Sequence, residues 1–462
     1  MRFVRVPAIL SLLVFLIGHS SVCVNSQSNE GAVIPVTPAG QQLARFLRSY
    51  NTGDVNVLRN FIVEYFDKSA LEKRSADERA STSLATFKLT RQLKLHSIER
   101  SSDFEVEALC QSQVTEAWFS ITIQVAPQPP NGIIRQAFGF ASRAADAIPH
   151  GKLDETQIIK ELNSYLGKLL AADMLSGALL VARNGKPIFA RAYGTNDSKI
   201  PNHVETRSDL ASLCKMFTSV AIAQLAQQGK LSYSDPIGKY ISDYPNKQAA
   251  EKVTLHQLLT HTSGLTEYSD KKEYRPARQA GAERFKTLRD WFPFFAGDAL
   301  SFQPGEKSDY CNSNFIVLGA IIEQITRQDY FDYVQQHVFK PAKMNQTMLT
   351  VKTGNSAGGG LSTVGDLLKF AVALRGHKLL NAKYTDLILA PKVKTGEGES
   401  YGYGFEICEM NGRRIVGHSG GGEVDNKLDI YLDDGYTVIA LMKPHAAEYV
   451  TNKLKELITQ AD

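Results

Sequence analysis

The sequence predicts an α+β fold in two domains, and three observations support that expectation. Apolar residues keep a helical period from Gln41 to Phe66 and then alternate with polar ones from Leu93 to Phe140, the order of a small domain with helices first and an antiparallel meander after. Further on, a helix and hairpin near residue 155 are answered by a strand and helix at the C-terminus, so both ends of a larger domain fall into one sheet. Across 462 residues, 43% are hydrophobic and 22% charged, a globular mixture with room for two or three domains of roughly 150 residues. The same counts exclude other classes. A net charge of +4 is too small for a generic nucleic-acid binder. No apolar run reaches the roughly 18 residues of an integral membrane span. Five cysteines are too few for a disulfide scaffold, so the core must hold the fold.

Residues 1–26 have the layout of a secretory signal peptide: Arg2 and Arg5, an apolar stretch from Ala8 to Ile17 broken only by Ser11, then small polar residues from Gly18 to Ser21. Cleavage between Ser21 and Ser26 is expected, leaving a secreted or periplasmic protein. Val22 is too large for a lipobox before Cys23, so no lipid anchor is expected. Residues 27–37 are small and polar, a linker. In the 38–140 domain, Leu43, Phe46 and Leu47 mark one helix and Val57, Leu58, Phe61 and Ile62 the next, with Gly53 ending the first and Asp54 capping the second. Phe104, Val106, Ala108 and Cys110 alternate as one strand and Phe119, Ile121, Ile123 and Val125 as another. Pro127 to Gly132 then separates them from a strand at Ile133 to Phe140. With Asn51-Thr52-Gly53-Asp54 between its helices, this α+β arrangement resembles the nuclear-transport-factor-two-like cone fold, which implies an accessory or substrate-gating module. A second linker, 141–154, leads into residues 155–462. There Thr156 to Met174 reads as an amphipathic helix, and Leu179 to Val181 and Ile188 to Ala190 as the arms of a hairpin turning at Asn184-Gly185. Tyr436 to Met442 reads as a strand and Ala446 to Ile458 as the closing helix.

Three short motifs in this larger domain could support chemistry. Ser212-Leu213-Cys214-Lys215 opens an apolar helix, Leu213 to Gln228, ended by Gly229. Three residues apart, Ser212 and Lys215 share a helix face, and the helix start offers free N–H groups and a positive dipole end. That suits a nucleophile whose neighbouring amine takes its proton, provided burial lowers the lysine by about 3 pK units. Cys214 lies two residues on, about 200° around the helix, and should face elsewhere. Tyr310-Cys311-Asn312 precedes a second apolar helix, Phe315 to Ile325; its phenol could relay protons and its amide could meet a substrate carbonyl. His418-Ser419-Gly420 ends a β-like run and is followed by Gly421-Gly422, a strand edge that another backbone can approach. Rival copies exist. Ser269-Asp270-Lys271-Lys272 lies in a polar loop and Tyr244-Pro245-Asn246 in a Pro-broken segment; of the Lys-Thr-Gly strings Lys352-Thr353-Gly354 and Lys394-Thr395-Gly396, the second is the serious rival but lies in poor strand material.

The ordered set S-x-x-K, Y-x-N and H-x-G resembles the serine β-lactamase and penicillin-binding-protein superfamily, in the branch of class C β-lactamases, D-alanyl-D-alanine carboxypeptidases and esterases. Further landmarks agree: Leu258-Leu259-Thr260-His261-Thr262-Ser263-Gly264-Leu265, Pro304-Gly305-Glu306, Gly359-Gly360-Leu361-Ser362-Thr363 and Tyr401-Gly402-Tyr403-Gly404. The resemblance implies a β-lactamase/transpeptidase-like fold, an antiparallel sheet flanked by helices plus a helical subdomain. It makes Ser212 the acylated nucleophile, Lys215 its base and Tyr310 a proton shuttle. It further implies that Asn312, His418 and Gly420 bind substrate and that the N–H groups of Ser212 and Gly421 form the oxyanion hole. His261 is assigned to structure. The expected substrate is a small ester or amide, with D-amino-acid peptides and β-lactams as alternatives, and no cofactor or metal is expected. An inactive peptidoglycan-binding or scaffold protein is the alternative of another class. Pairing of Cys214 with Cys311 and the oligomeric state stay open.

Overall fold

The structure is a computed structural model that describes residues 32–141, 153–281 and 284–460. The expected signal peptide and nearly all of the second linker lie outside these residues. The described chain forms two compact units.

In the first unit, helices Pro38–Tyr50 and Val55–Tyr65 flank the expected turn, and the Asp54 carboxylate accepts the N–H groups of Asn56 and Val57 at the second helix start. Helix Lys68–Lys73 follows. Strands Leu93–Ser101, Glu105–Ser112, Trp118–Val125 and Ile133–Phe140 form an antiparallel sheet in sequence order. Val106, Ala108 and Cys110 pair with Ile123, Ile121 and Phe119 and are buried, so the alternation read from the sequence is the buried face of a half-covered sheet.

The second unit also takes in residues 83–92 and 112–117. Its sheet runs in the order Lys186–Tyr193, Gly177–Arg183, Tyr436–Met442, Asp425–Tyr431, Arg413–Gly420, Glu406–Met410, Glu399–Tyr401, Val393–Gly396. The two chain ends of the domain therefore meet within one sheet, where Gly177–Arg183 pairs with Tyr436–Met442 as its second and third strands. Both faces are covered. Leu179, Val181, Val438 and Ala440 pack with helices Glu155–Ala171 and Ala446–Thr459. Ala178, Leu180, Val416, Leu428 and Ile439 face a helical body built round Lys215–Gln227. That helix is buried all round from Lys215 to Ala226, as its lack of a polar face requires.

Two expectations need correction. The α-helix begins at Lys215, not Leu213: Ala211–Cys214 is a 3-10 turn, because Ala211 takes a left-handed φ of 47° and Leu213 N–H bonds back to Leu210. Val393–Gly396 is a strand despite its poor composition, since the last position in a sheet needs a partner on one side only.

Candidate active site

Ser212 and Lys215 stand where the 3-10 turn meets the helix. In a 3-10 turn positions three apart eclipse one another, and the amine lies 3.0 Å from the Ser212 hydroxyl. Lys215 is fully buried, and its two other contacts are Asn312 Oδ1 at 2.7 Å and the Ala357 carbonyl at 2.5 Å. As an ammonium it satisfies three acceptors with three N–H donors. As a neutral amine it keeps two N–H groups for the amide and carbonyl oxygens, which can only accept, and its lone pair is left facing Ser212. Burial lowers its pKa to about 8 against opposition from Cys214, Glu267, Cys311 and Glu406.

The Ala357 carbonyl belongs to a segment that sequence reading treated only as a landmark. Residues 354–361 run as a strap alongside the turn that carries Ser212. Gly359 N–H donates to Ala211 O, Leu210 N–H to Gly360 O, Thr218 Oγ1 to Ser356 O and the Cys214 thiol to Asn355 O. Asn355 Oδ1 in turn holds the N–H groups of Ala357 and Gly358. The Cys214 thiol is turned to the Asn355 carbonyl, and burial pushes it up to about 12, which disfavours the thiolate. Cys214 and Cys311 are both buried free thiols.

Tyr310 and Asn312 arrive from the start of helix Ser313–Thr326. Asn312 spends its Oδ1 on Lys215, and its N–H is held by the Glu267 carboxylate at 2.5 Å, a partner that no motif singles out. Tyr310 is 46% exposed, but its ring lies against the His261 imidazole at 4.3 Å and 4.8 Å from the Lys215 amine. Burial of the phenol end raises its pKa, while its hydrogen bond with Ser212 pulls the other way; the group stays protonated at neutral pH.

His418 is buried on the face of Arg413–Gly420 turned toward this cluster, with its ring 6.4 Å from that of Tyr310. Its Nδ1 lies 2.6 Å from the Ser419 carbonyl, which can only accept, so the proton sits on Nδ1. Nε2 then accepts the Tyr401 hydroxyl at 2.8 Å. Burial lowers the His418 pKa to about 4, outweighing the nearby Glu406 carboxylate. His261 has the opposite tautomer: Nδ1 takes the Cys311 N–H at 3.1 Å and the Asn314 amide at 3.2 Å, leaving Nε2–H to meet Tyr401 Oη at 3.3 Å. Tyr401 is thus a buried link between two histidines. Tyr401→Phe should destabilise the protein by about 1–3 kcal/mol in denaturant unfolding, since both imidazoles lose a partner away from water.

Gly420 lets the strand end reach the nucleophile turn. A Cβ there would sit 2.5 Å from Leu210 O and 3.4 Å from Ser212 N, so only glycine fits, and Gly421 follows directly. Asn426 fixes the same turn from the neighbouring strand, donating to Asp209 O at 2.6 Å. None of the rival motifs bonds to Ser212 or Lys215 among the described residues, although Gly354 leads into the strap and the Ser269 N–H donates to Glu267. Lys394 is exposed on the edge strand, three strands removed from His418. Lys272, the lysine of the Ser269 string, is exposed, and Tyr244 is a buried ring packed on Phe292. Lys394→Ala should leave ester turnover within about twofold of the parent, as expected for an exposed residue remote from the reacting groups.

Among protein families, the model described as Beta-lactamase matches residues 157–455. The chain is 28% identical over 345 residues to the putative penicillin-binding protein PbpX of Bacillus subtilis strain 168, covering 67% of this chain and 82% of that one. It is 33% identical over 174 residues to protein flp of Staphylococcus aureus strain MW2, a match spanning 37% of this chain and about a third (34%) of that relative's length. Among solved structures, a penicillin-binding protein from Bacillus halodurans aligns with a TM-score of 0.55 and 27% identity over 66% of this chain and 99% of that one. A D-amino acid amidase from Ochrobactrum anthropi SV3, complexed with L-phenylalanine amide, shares the fold at a TM-score of 0.55 and 20% identity, over 65% of this chain and 98% of that one.

Proposed function

Because the chain belongs to the Beta-lactamase family, we propose that it is an exported serine hydrolase that turns over small esters or amides through an acyl-enzyme on Ser212. The observation that supports this most directly is the three-way hold on Lys215, which aims one lone pair at the serine. Ser212 Oγ attacks the substrate carbonyl carbon as its proton passes to the Lys215 amine. The oxyanion that forms is met, in this reading, by the N–H groups of Ser212 and Gly421. The C–O or C–N bond then breaks, and the leaving group takes a proton delivered through Tyr310 from Lys215. Water, deprotonated through the same groups, attacks the ester carbon; the acid departs and Ser212 regains its proton. Asn312 orients the amine, and its Nδ2 is available to the substrate carbonyl. The amidase sharing this fold supports an amide as one substrate form. The small N-terminal unit is read as accessory, since every group brought to Ser212 comes from the second unit.

Intact-mass spectrometry with a fluorophosphonate probe tests the proposal. One adduct is expected, and peptide mapping should place it on Ser212, together with a pre-steady-state burst from a nitrophenyl ester. An adduct elsewhere, or no burst, overturns it.

A further inference from the structure

Resting on that hydrolase reading, we infer that the site selects acyl donors whose leaving group is uncharged, and that Tyr401 and His418 make that selection. The leaving group receives its proton at Tyr310, so it must lie beside that ring; of the two imidazoles near it, His261 is packed on the ring at 4.3 Å, and His418, 6.4 Å away, is the one carried by the sheet. An anion placed there needs a donor, and His418 has none to give. Its Nδ1–H is on the Ser419 carbonyl, with Glu406 Oε1 a further 3.6 Å acceptor, and its Nε2 is capped by the Tyr401 hydroxyl. Tyr401 cannot turn away, because its oxygen in turn accepts from His261, whose other nitrogen is fixed by a backbone N–H. Hydrogens therefore point one way along the whole chain, from the Cys311 amide to the Ser419 carbonyl, and no member can face the cleft without breaking a buried bond.

The surrounding charge has the same effect. Glu267 and Glu406 are the carboxylates that bear on both Lys215 and Tyr310. The cations that bear on His418 are Lys215, whose amine is already held, and Lys427. Lys427 is bonded to Glu406 at 2.6 Å and sits opposite Ser419 in the strand register, so its side chain belongs to the other face of the sheet from His418. Lys215 is held by three acceptors and Lys427 is paired with Glu406, so neither cation is free to pair with a carboxylate beside the scissile bond.

Matched phenyl esters test this: 4-acetoxybenzamide against 4-acetoxybenzoate, each rate divided by that of the same ester with hydroxide. The expected kcat/KM ratio is about 30-fold or more in favour of the neutral ester, and His418→Lys should lower it by about tenfold or more, mainly through KM for the anion. A ratio near one in the unmodified protein overturns the inference whether or not the lysine variant folds. So does an unchanged ratio in a folded His418→Lys protein. A burst with both esters at equal efficiency leaves the hydrolase reading standing and removes this one alone. No burst with either, and no fluorophosphonate adduct on Ser212, removes both.

Discussion

Lys215→Met should lower kcat/KM for ester hydrolysis by about a thousandfold while leaving the thermal midpoint unchanged or higher. General-base assistance contributes about 10²–10⁴-fold, and the Met chain fills the same buried space without a charge to desolvate. The pH profile supplies the sharper reading. With its pKa lowered to about 8, roughly a tenth of the amine is free at pH 7, where an ordinary lysine has almost none. Because the free amine is the active form, kcat/KM should climb as pH rises toward and through 8 and then level off. In Lys215→Met that limb should disappear. A variant that loses activity but keeps the limb would assign the titration to another group. Ser212 labelling by the fluorophosphonate should slow in parallel with ester turnover.

Gly420→Val should cost about a hundredfold or more in kcat/KM, although the residue carries no functional group. Its new Cβ would meet the Leu210 carbonyl at 2.5 Å, a backbone atom that cannot step aside without moving the turn that holds Ser212. A displacement of about 1 Å in a reacting group is enough for a loss of that size. The effect should fall on kcat with fluorophosphonate labelling slowed alongside. A stability loss of about 1–3 kcal/mol in denaturant unfolding is expected as well, from overpacking. Near-normal turnover would mean that the strand end does not help shape the reaction centre.

Much of this architecture was legible in the residues because local signals and packing agree. Asn184-Gly185, both at positive φ, turn the hairpin that the flanking apolar runs predict, and Tyr436–Met442 has the bounds its apolar run marks. Ser212, Lys215, Tyr310 and Asn312, which the structure brings together, were legible as motifs because each motif needs a fixed residue type. What escaped reading was made by tertiary contact. Nothing in the order of residues shows that the Ala357 oxygen meets Lys215, that Glu267 holds the Asn312 amide, or that Tyr401 bridges two histidines 157 residues apart (418 − 261). The 3-10 turn at Ala211–Cys214 escaped for a related reason: an alanine in a left-handed conformation has no compositional signature, and it is held by Gly359 from across the fold.

The strap over the nucleophile turn has a consequence for how this protein can vary in length. Three successive carbonyls, those of Asn355, Ser356 and Ala357, meet Cys214, Thr218 and Lys215 in that order. Such a template works by counting. One inserted or deleted residue would move each oxygen out of the place its partner requires and break all three bonds together. Point changes outside the helix-facing atoms are tolerable there; a change in residue number is not, and the amine would be the first group to lose its place.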